Sequence, residues 1–426
     1  MPVNVRFDTV RPAAVAVCKR PEDVAYALKW CRENGVRHVP RSGGHSYMGY
    51  STNDGLVISM REMNSVRHQA GSNAIVTGGG AQNRDVAKAL KAANVMIPGG
   101  QCPTVGVAGL TLGGGLGFSM RSLGVTSDSL TASQVVLANG DIVTASAAEN
   151  PDLFWALRGG TGGNFGINTE FTYTANAARD CTHFAVEFPG ERSADMLDAW
   201  FTTLKDAPRE LGLIWYHLPG ATPADKPICG TFGQMYGSVS DTRDVLAQVM
   251  RAGGPPVTDE VMDGSYWDAV TYLGQSNKKP HAFLDRSRFL DDRLGGDAIA
   301  TLTARLDRQP HHQGDTSIFA WGGAISDTAL DATAFVHRSA VALIKYSAVW
   351  ESGDATTQDA STRWVNETFE AMQTYCSKSS FQNFPDGELD DWAQAYFGQN
   401  LGRLTEVKRK YDPDRVFTFP QAIPST

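Results

Sequence analysis

No stretch of this 426-residue chain approaches the ~18 consecutive apolar residues of a membrane span; Lys345 interrupts the longest candidate, 340–350. The first residues lack the apolar run of a secretory leader, so a cytoplasmic protein is expected. A basic surplus is also missing. Lys and Arg number 38 against 46 Asp and Glu, a formal charge of −8, which removes the usual footprint of a nucleic-acid partner. Cysteine is sparse and scattered: Cys18, Cys31, Cys102, Cys181, Cys229 and Cys376 show no C-x-x-C pair and no zinc spacing. Neither a metal centre nor a disulfide framework is expected, and most of these thiols should be reduced and structural. G-x-G-x-x-G is absent, as is any Gly-Lys pair, which counts against a dinucleotide fingerprint and a P-loop. No G-x-S-x-G elbow supports a hydrolase. His311 and His312 form the only adjacent histidine pair and read as a plain loop.

Glycine, in contrast, is abundant, with 43 residues against a usual ~7%. The glycines cluster. They crowd Arg41-Ser42-Gly43-Gly44-His45-Ser46-Tyr47, the stretch 99–106, the stretch 109–117 and the stretch 159–166. Any one cluster reads better as turns and tight packing. Four together point to a large phosphate-bearing ligand lying along exposed backbone N–H groups.

The length suggests at least two domains. In the first part, strands are expected at 15–18, 36–40, 56–60 and 74–77. A helix is expected over 21–34 with Pro21 in its first turn, and another from an Asn83 cap to about Ala93. Asn139-Gly140 between 134–138 and 142–145 signals a hairpin; 151–158 reads as a helix and 166–173 as a strand. Beyond about Asn176 glycine thins out. Longer apolar strands follow at 211–217, 228–236, 317–324 and 340–350, with helical patterns at 194–204 and 241–250. This reads as a second domain, an antiparallel sheet with helices on one side. On pattern alone, 381–426 could join either part.

Two nucleophiles sit inside the glycine loops: His45 after Gly43-Gly44, and Cys102 before Pro103. An imidazole and a thiolate on such loops can attack an electrophilic ring held there, and a flavin offers one. Alone, each is better explained as a hydrogen-bonded loop histidine and a small structural cysteine.

At this point the residues match a known family. The chain resembles the berberine-bridge-enzyme-like FAD-linked oxidases, of the vanillyl-alcohol-oxidase (PCMH-type) flavoprotein superfamily. The resemblance is carried by 41–47, Cys102-Pro103-Thr104-Val105-Gly106, 151–160, Asn164-Phe165-Gly166, His337-Arg338, Tyr396-Phe397-Gly398-Gln399-Asn400 and 408–413. It implies an α+β fold: a two-part FAD-binding domain (1–176 and 379–426) around an antiparallel-sheet substrate domain (177–378) covered by helices. It implies a bicovalent FAD, bonded by His45 at the 8α carbon and by Cys102 at C6. Further flavin contacts are implied for Arg41, Ser42, Gly43, Gly44 and Ser46, and for Thr104, Val105 and Gly106. Others are implied for Gly109, Gly113, Gly114 and Gly117, for Asp128, Gly166 and Ile167, and for Tyr396 and Asn400. Val105 falls at the family's oxygen gate, where a small residue goes with oxidase behaviour. The implied reaction takes a hydride from an alcohol- or amine-bearing secondary metabolite or carbohydrate, with O2 as acceptor and H2O2 as product.

The chain also departs from the family pattern. Many relatives have a base in an Asn-Tyr pair; here the pair is Asn383-Phe384. Plant-type members carry His and Tyr where this chain has Leu110 and Leu116. Lys345, the one charge in an apolar strand, is a candidate base if desolvation lowers its pKa; a lysine snorkelling at the strand edge is the bland alternative. Tyr47 is a second polar candidate, in a hydrogen-bonding role. Tyr216, His217 and Tyr236 are candidate pocket residues. Two other readings remain: a flavin-containing cyclase or isomerase with little net oxidation, and a non-catalytic protein retaining flavin as a relic.

Overall fold

The computed structural model describes residues 2–425, apart from 223, 275–280, 311–313 and 352; the His311-His312 pair lies outside the described residues. Strands β1 (Ala14–Val17), β2 (His38–Arg41) and β3 (Leu56–Ser59) form a parallel sheet in the order β1-β3-β2. Helix Pro21–Glu33 packs on it through Val24, Leu28 and Cys31, the face expected from their spacing. Its first turn is closed by Asp23, whose carboxylate accepts from the Lys19 and Arg20 N–H groups.

β4 (Val66–Gln69) and β5 (Ala74–Gly78) pair next. The helix that follows is Asn83–Leu90, and Asn83 is not its cap. Gln82 is the N-cap and Asp85 accepts from the Gln82 N–H at 2.9 Å, which frees the Asn83 amide for another task. β6 (Val95–Met96), β7 (Leu130–Val136), β8 (Ile142–Ser146), β9 (Ile167–Thr174) and β10 (Asn176–Ala177) complete this part. β4, β5, β7, β8 and β9 form an antiparallel sheet in the order β4-β5-β9-β7-β8. The expected β7–β8 hairpin turns at Asn139-Gly140, where Gly140 takes φ +91°.

The second sheet has seven antiparallel strands: β11 (Cys181–Pro189), β12 (Leu211–Leu218), β13 (Ile228–Met235), β14 (Thr258–Gly264), β15 (Ala282–Leu290), β16 (Thr316–Ala320) and β17 (Ala342–Trp350). Their order is β14-β11-β13-β12-β16-β17-β15. β16 ends four residues before the expected 324, because the chain turns at Gly322 and Gly323, both at positive φ. Four helices, Ser193–Asp206, Val239–Gly253, Gly296–Leu306 and Ala355–Met372, cover one face. There Phe184, Trp215, Ile318 and Ile344 are buried with Trp200, Leu302 and Phe369. Each such side chain contributes roughly 1.5–3 kcal/mol on burial. Among the described residues no helix is long and apolar enough to cross a membrane.

The opposite face meets the glycine loops of the first part. A Cβ on Gly212 would lie 1.9 Å from the Phe118 oxygen, so backbone abuts backbone there. Ser119 Oγ bonds Tyr236 Oη at 2.9 Å and accepts from Gln234 Nε2 at 3.2 Å. The C-terminal helix Leu401–Tyr411 returns to the first part. Buried Lys408 donates to the carbonyls of Asn164 and Phe417, each at 2.7 Å, and to Asp412 at 2.5 Å. A second buried pair ties the parts together: Arg338 makes a bidentate bond to Asp128, at 2.7 and 2.8 Å.

Removing one partner of a buried pair strands the other charge. Asp128→Ala is therefore expected to cost about 3–5 kcal/mol of unfolding free energy, read from urea titration by tryptophan fluorescence. Asp128→Ala combined with Arg338→Met is expected to unfold at a higher urea midpoint than Asp128→Ala alone.

Candidate functional site

β2 delivers the loop 41–47, and the helix Asn83–Leu90 holds the loop 102–106 against it. Asn83 Nδ2 donates to the Cys102 carbonyl at 2.9 Å, and the Arg84 N–H donates to the Pro103 carbonyl at 2.8 Å. Arg41 Nε donates to the Ser51 carbonyl at 2.8 Å, bracing the first loop from behind. The loops then touch through their backbones. A Cβ on Gly43 would sit 2.3 Å from Gly106 N, and one on Gly106 would sit 2.4 Å from Gly43 N. This contact places His45 Nε2 2.8 Å from Thr104 Oγ1, two residues from Cys102.

Burial lowers the His45 pKa to about 4, so its imidazole is neutral at pH 7 and keeps a nucleophilic lone pair. Cys102 is the only exposed cysteine of the six, and none forms a disulfide. The loops 41–47, 99–117 and 159–166 contain no Asp or Glu, so nothing there repels a phosphate. Gly109 faces open space at its Cα, and the buried hydroxyls of Ser42 and Ser127 have no hydrogen-bond partner among the described residues. These features fit a dinucleotide-sized anion threaded along the glycine loops. Among the described residues no cluster of three His, Cys, Asp or Glu could hold a metal.

The inner face of the seven-stranded sheet forms the opposite wall. Its register aligns side chains in rows. One row runs Glu187, Gly230, Tyr216, Ser317, Lys345, Ser287 across six strands. The row nearer the strands' other ends is Ala185, Phe232, Ile214, Phe319, Leu343, Phe289. A polar band thus lies beside an apolar one. Strand alternation also turns His217 to the helix side, where its Nδ1 lies 3.2 Å from Gln309 Oε1, so it cannot join Tyr216 in a pocket. Tyr216 does face inward and donates to Glu187 at 2.6 Å.

Lys345 corrects the sequence-based expectation. Its Nζ lies 3.4 Å from Asp285 Oδ2 and 3.3 Å from Asp315 Oδ1. Burial alone would lower its pKa, but the two carboxylates outweigh burial and raise it above the ordinary lysine value. A lysine held as an ammonium ion does not act as a base. Burial pushes Tyr47 in the same protonated direction, aided by Asp285, Cys102 and Asp315. The Tyr47 ring stacks on Phe384 at 5.1 Å and meets the edge of Phe283 at 4.9 Å.

Comparison with known proteins bears on this geometry. Residues 12–146 match the FAD binding domain model, and residues 380–424 match the model for berberine and berberine-like proteins. An uncharacterized FAD-linked oxidoreductase of Bacillus subtilis, YgaK, is 31% identical, covering 99% of this chain and 93% of that one. The chain belongs to the berberine-bridge-enzyme-like FAD-linked oxidoreductases. The glucooligosaccharide oxidase of Sarocladium strictum is 30% identical over 97% of this chain and 87% of its own. The wild-type BBE-like 1 structure from Physcomitrella patens superposes with a TM-score of 0.89 at 25% identity, covering 100% and 94% of the two chains. An FAD-linked enzyme of this family has the mixed α+β fold seen here.

Within that family, several expected flavin contacts have other duties in this chain. Asp128 is one: its carboxylate accepts from both Arg338 nitrogens and from the Val125 N–H, so it braces the fold. Asn400 donates to the carbonyls of Leu330 and Thr333, and Tyr396 Oη accepts from the Asp386 N–H. Gly113, Gly114 and Gly117 are packed against Asn383, Phe335 and Gly99, and Gly166 against Val135 and Val136. Ile167 buries its side chain in the core, leaving only backbone to offer. Asp285 and Asp315 escaped the sequence-based reading. β15 has three charges in nine residues and gives no simple apolar strand signal, although Phe283, Asp285, Ser287 and Phe289 do share a period of two.

Gly106→Ala is expected to push the two loops apart. A penalty of ~1.4 kcal/mol or more lowers flavin occupancy about tenfold, measured as the 450/280 nm absorbance ratio of purified protein.

Proposed function

We propose that this enzyme is an oxidase whose FAD is tethered twice, through His45 and Cys102. It takes a hydride from an alcohol- or amine-bearing small molecule and passes the electrons to O2, releasing H2O2. The observation that carries the reading is the apposition of the two loops, with His45 Nε2 2.8 Å from Thr104 Oγ1. When bound, the flavin supplies a two-electron acceptor for the donor's C–H hydride. The chain supplies the rest. The neutral His45 imidazole and the exposed Cys102 thiol hold the ring, and the acid-free glycine loops receive the diphosphate. Val105, fixed through its carbonyl by the Asn83 N–H at 3.1 Å, presents a small side chain as the oxygen gate.

The wall opposite indicates the donor class. Tyr47, Phe384, Phe319, Phe232 and Phe118 line the approach with aromatic surface. The polar band begins one row away. This pairing favours an amphipathic donor with an apolar body and one polar reacting end, such as a secondary metabolite, over a uniformly hydroxylated sugar. Phe384, which cannot accept a proton, supports a second reading as a flavin-containing cyclase or isomerase. Peroxide release separates the two.

Acid precipitation is expected to leave yellow colour in the pellet. His45→Ala and Cys102→Ala should each retain a covalent flavin, and the double variant should release it. Val105→Leu is expected to slow reoxidation of the reduced enzyme in air about tenfold or more, a barrier increase of ~1.4 kcal/mol, followed by stopped-flow absorbance.

A further inference from the structure

Oxidation of an alcohol or amine releases a proton as well as a hydride, and Phe384 cannot take it. The inner wall offers few alternatives. Glu187 lies on β11, three strands from β16 in the sheet, and accepts from Tyr216 at 2.6 Å and from Thr258 at 2.5 Å. Lys345 and Tyr47 already carry their protons. That leaves the two carboxylates flanking Lys345. Asp285, on β15, is sealed in, its side chain 4% exposed, with Oδ1 accepting from Ser347 and Oδ2 from Lys345. Asp315, immediately before β16, has a side chain 18% exposed, reached by Lys345 Nζ and by Ser317 Oγ. Of the two carboxylates flanking Lys345, Asp315 is the one more open to a ligand.

We propose that Asp315 is the proton acceptor of this oxidase, with Lys345 and Asp285 as the residues that position it. The inference rests on the oxidase reading above. Its chemistry balances. The donor's O–H or N–H bond breaks and the proton passes to a carboxylate oxygen of Asp315. The freed pair on the heteroatom becomes the second bond of C=O or C=N as the adjacent C–H pair leaves as hydride to the flavin. Two carboxylates around one ammonium carry a net charge of −1, which one added proton cancels. Burial raises the Asp285 pKa, in keeping with a cluster that favours taking up a proton. Among the described residues, the groups around Asp315 include Lys345 and Ser347 on β17, Asp285 on β15 and the following Ser317, and its charge is felt by Tyr47 of the loop 41–47.

The test uses holoenzyme and three donors: cellobiose, benzyl alcohol and (S)-reticuline. Anaerobic flavin bleaching is followed from pH 5 to 10. For any donor that bleaches the wild type, Asp315→Asn should slow reduction ~10²–10⁴-fold with little change in donor Kd, and Asp315→Glu should recover part of the loss. Asp285→Asn and Lys345→Met should lower the rate less and shift the acidic limb of the pH profile. An infrared pH-difference spectrum needs no donor. A carboxyl band titrating above the usual carboxylate range should change in both Asp315→Asn and Asp285→Asn. An Asp315→Asn enzyme reduced as fast as the wild type, or an infrared band unaltered in both variants, overturns the proposal. If no donor bleaches the wild type, the oxidase reading fails for these donor classes and the infrared result alone decides the role of the cluster.

Discussion

Where Gly43 passes Gly106, backbone lies against backbone and neither residue has room for a Cβ. The candidate site depends on that contact. It brings a histidine from one loop and a cysteine from another, 57 positions on, to the same side of the fold. Hydrogen bonds from Asn83 and Arg84 hold the second loop, and the Arg41 bond to Ser51 holds the first. The glycines do more than permit turns here. They set the distance between two strips of chain, and with it the placement of His45 and Cys102.

The second constraint is electrostatic. A sheet face that seals a flavin site cannot leave a charge unpartnered, because the low dielectric makes an isolated ion expensive. Lys345 meets this demand with two carboxylates, Asp285 from β15 and Asp315 from the residue before β16. Glu187 meets it with two hydroxyls. Arg338 and Lys408 meet it where the parts join. The charges of the polar band are thus arranged by strand register, and the apolar band beside them leaves room for the less polar part of a ligand.

Much of the fold was legible because it rests on local rules. The helix at Pro21, the Asn139-Gly140 hairpin and the apolar strands β12, β13 and β17 follow from periodicity and turn chemistry. β11, β14 and β15 were not, because each contains polar or charged residues whose partners are far off in sequence. Asp285 and Lys345 are 60 residues apart, and β15 lies at the end of the sheet order, next to β17. A lysine in an apolar run reads either as a snorkelling side chain or as a candidate base until its partners are known.

The sequence by itself determined the family, the flavin class of cofactor and the two candidate attachment points. These came through the family resemblance carried by short motifs along the chain; His45 and Cys102 taken alone read as a loop histidine and a structural cysteine. Only the tertiary structure decided the protonation of Lys345, the commitment of Asp128 to Arg338 and the outward turn of His217. Charge state and orientation are set by what surrounds a side chain, and those surroundings come from strands and loops that only folding brings together.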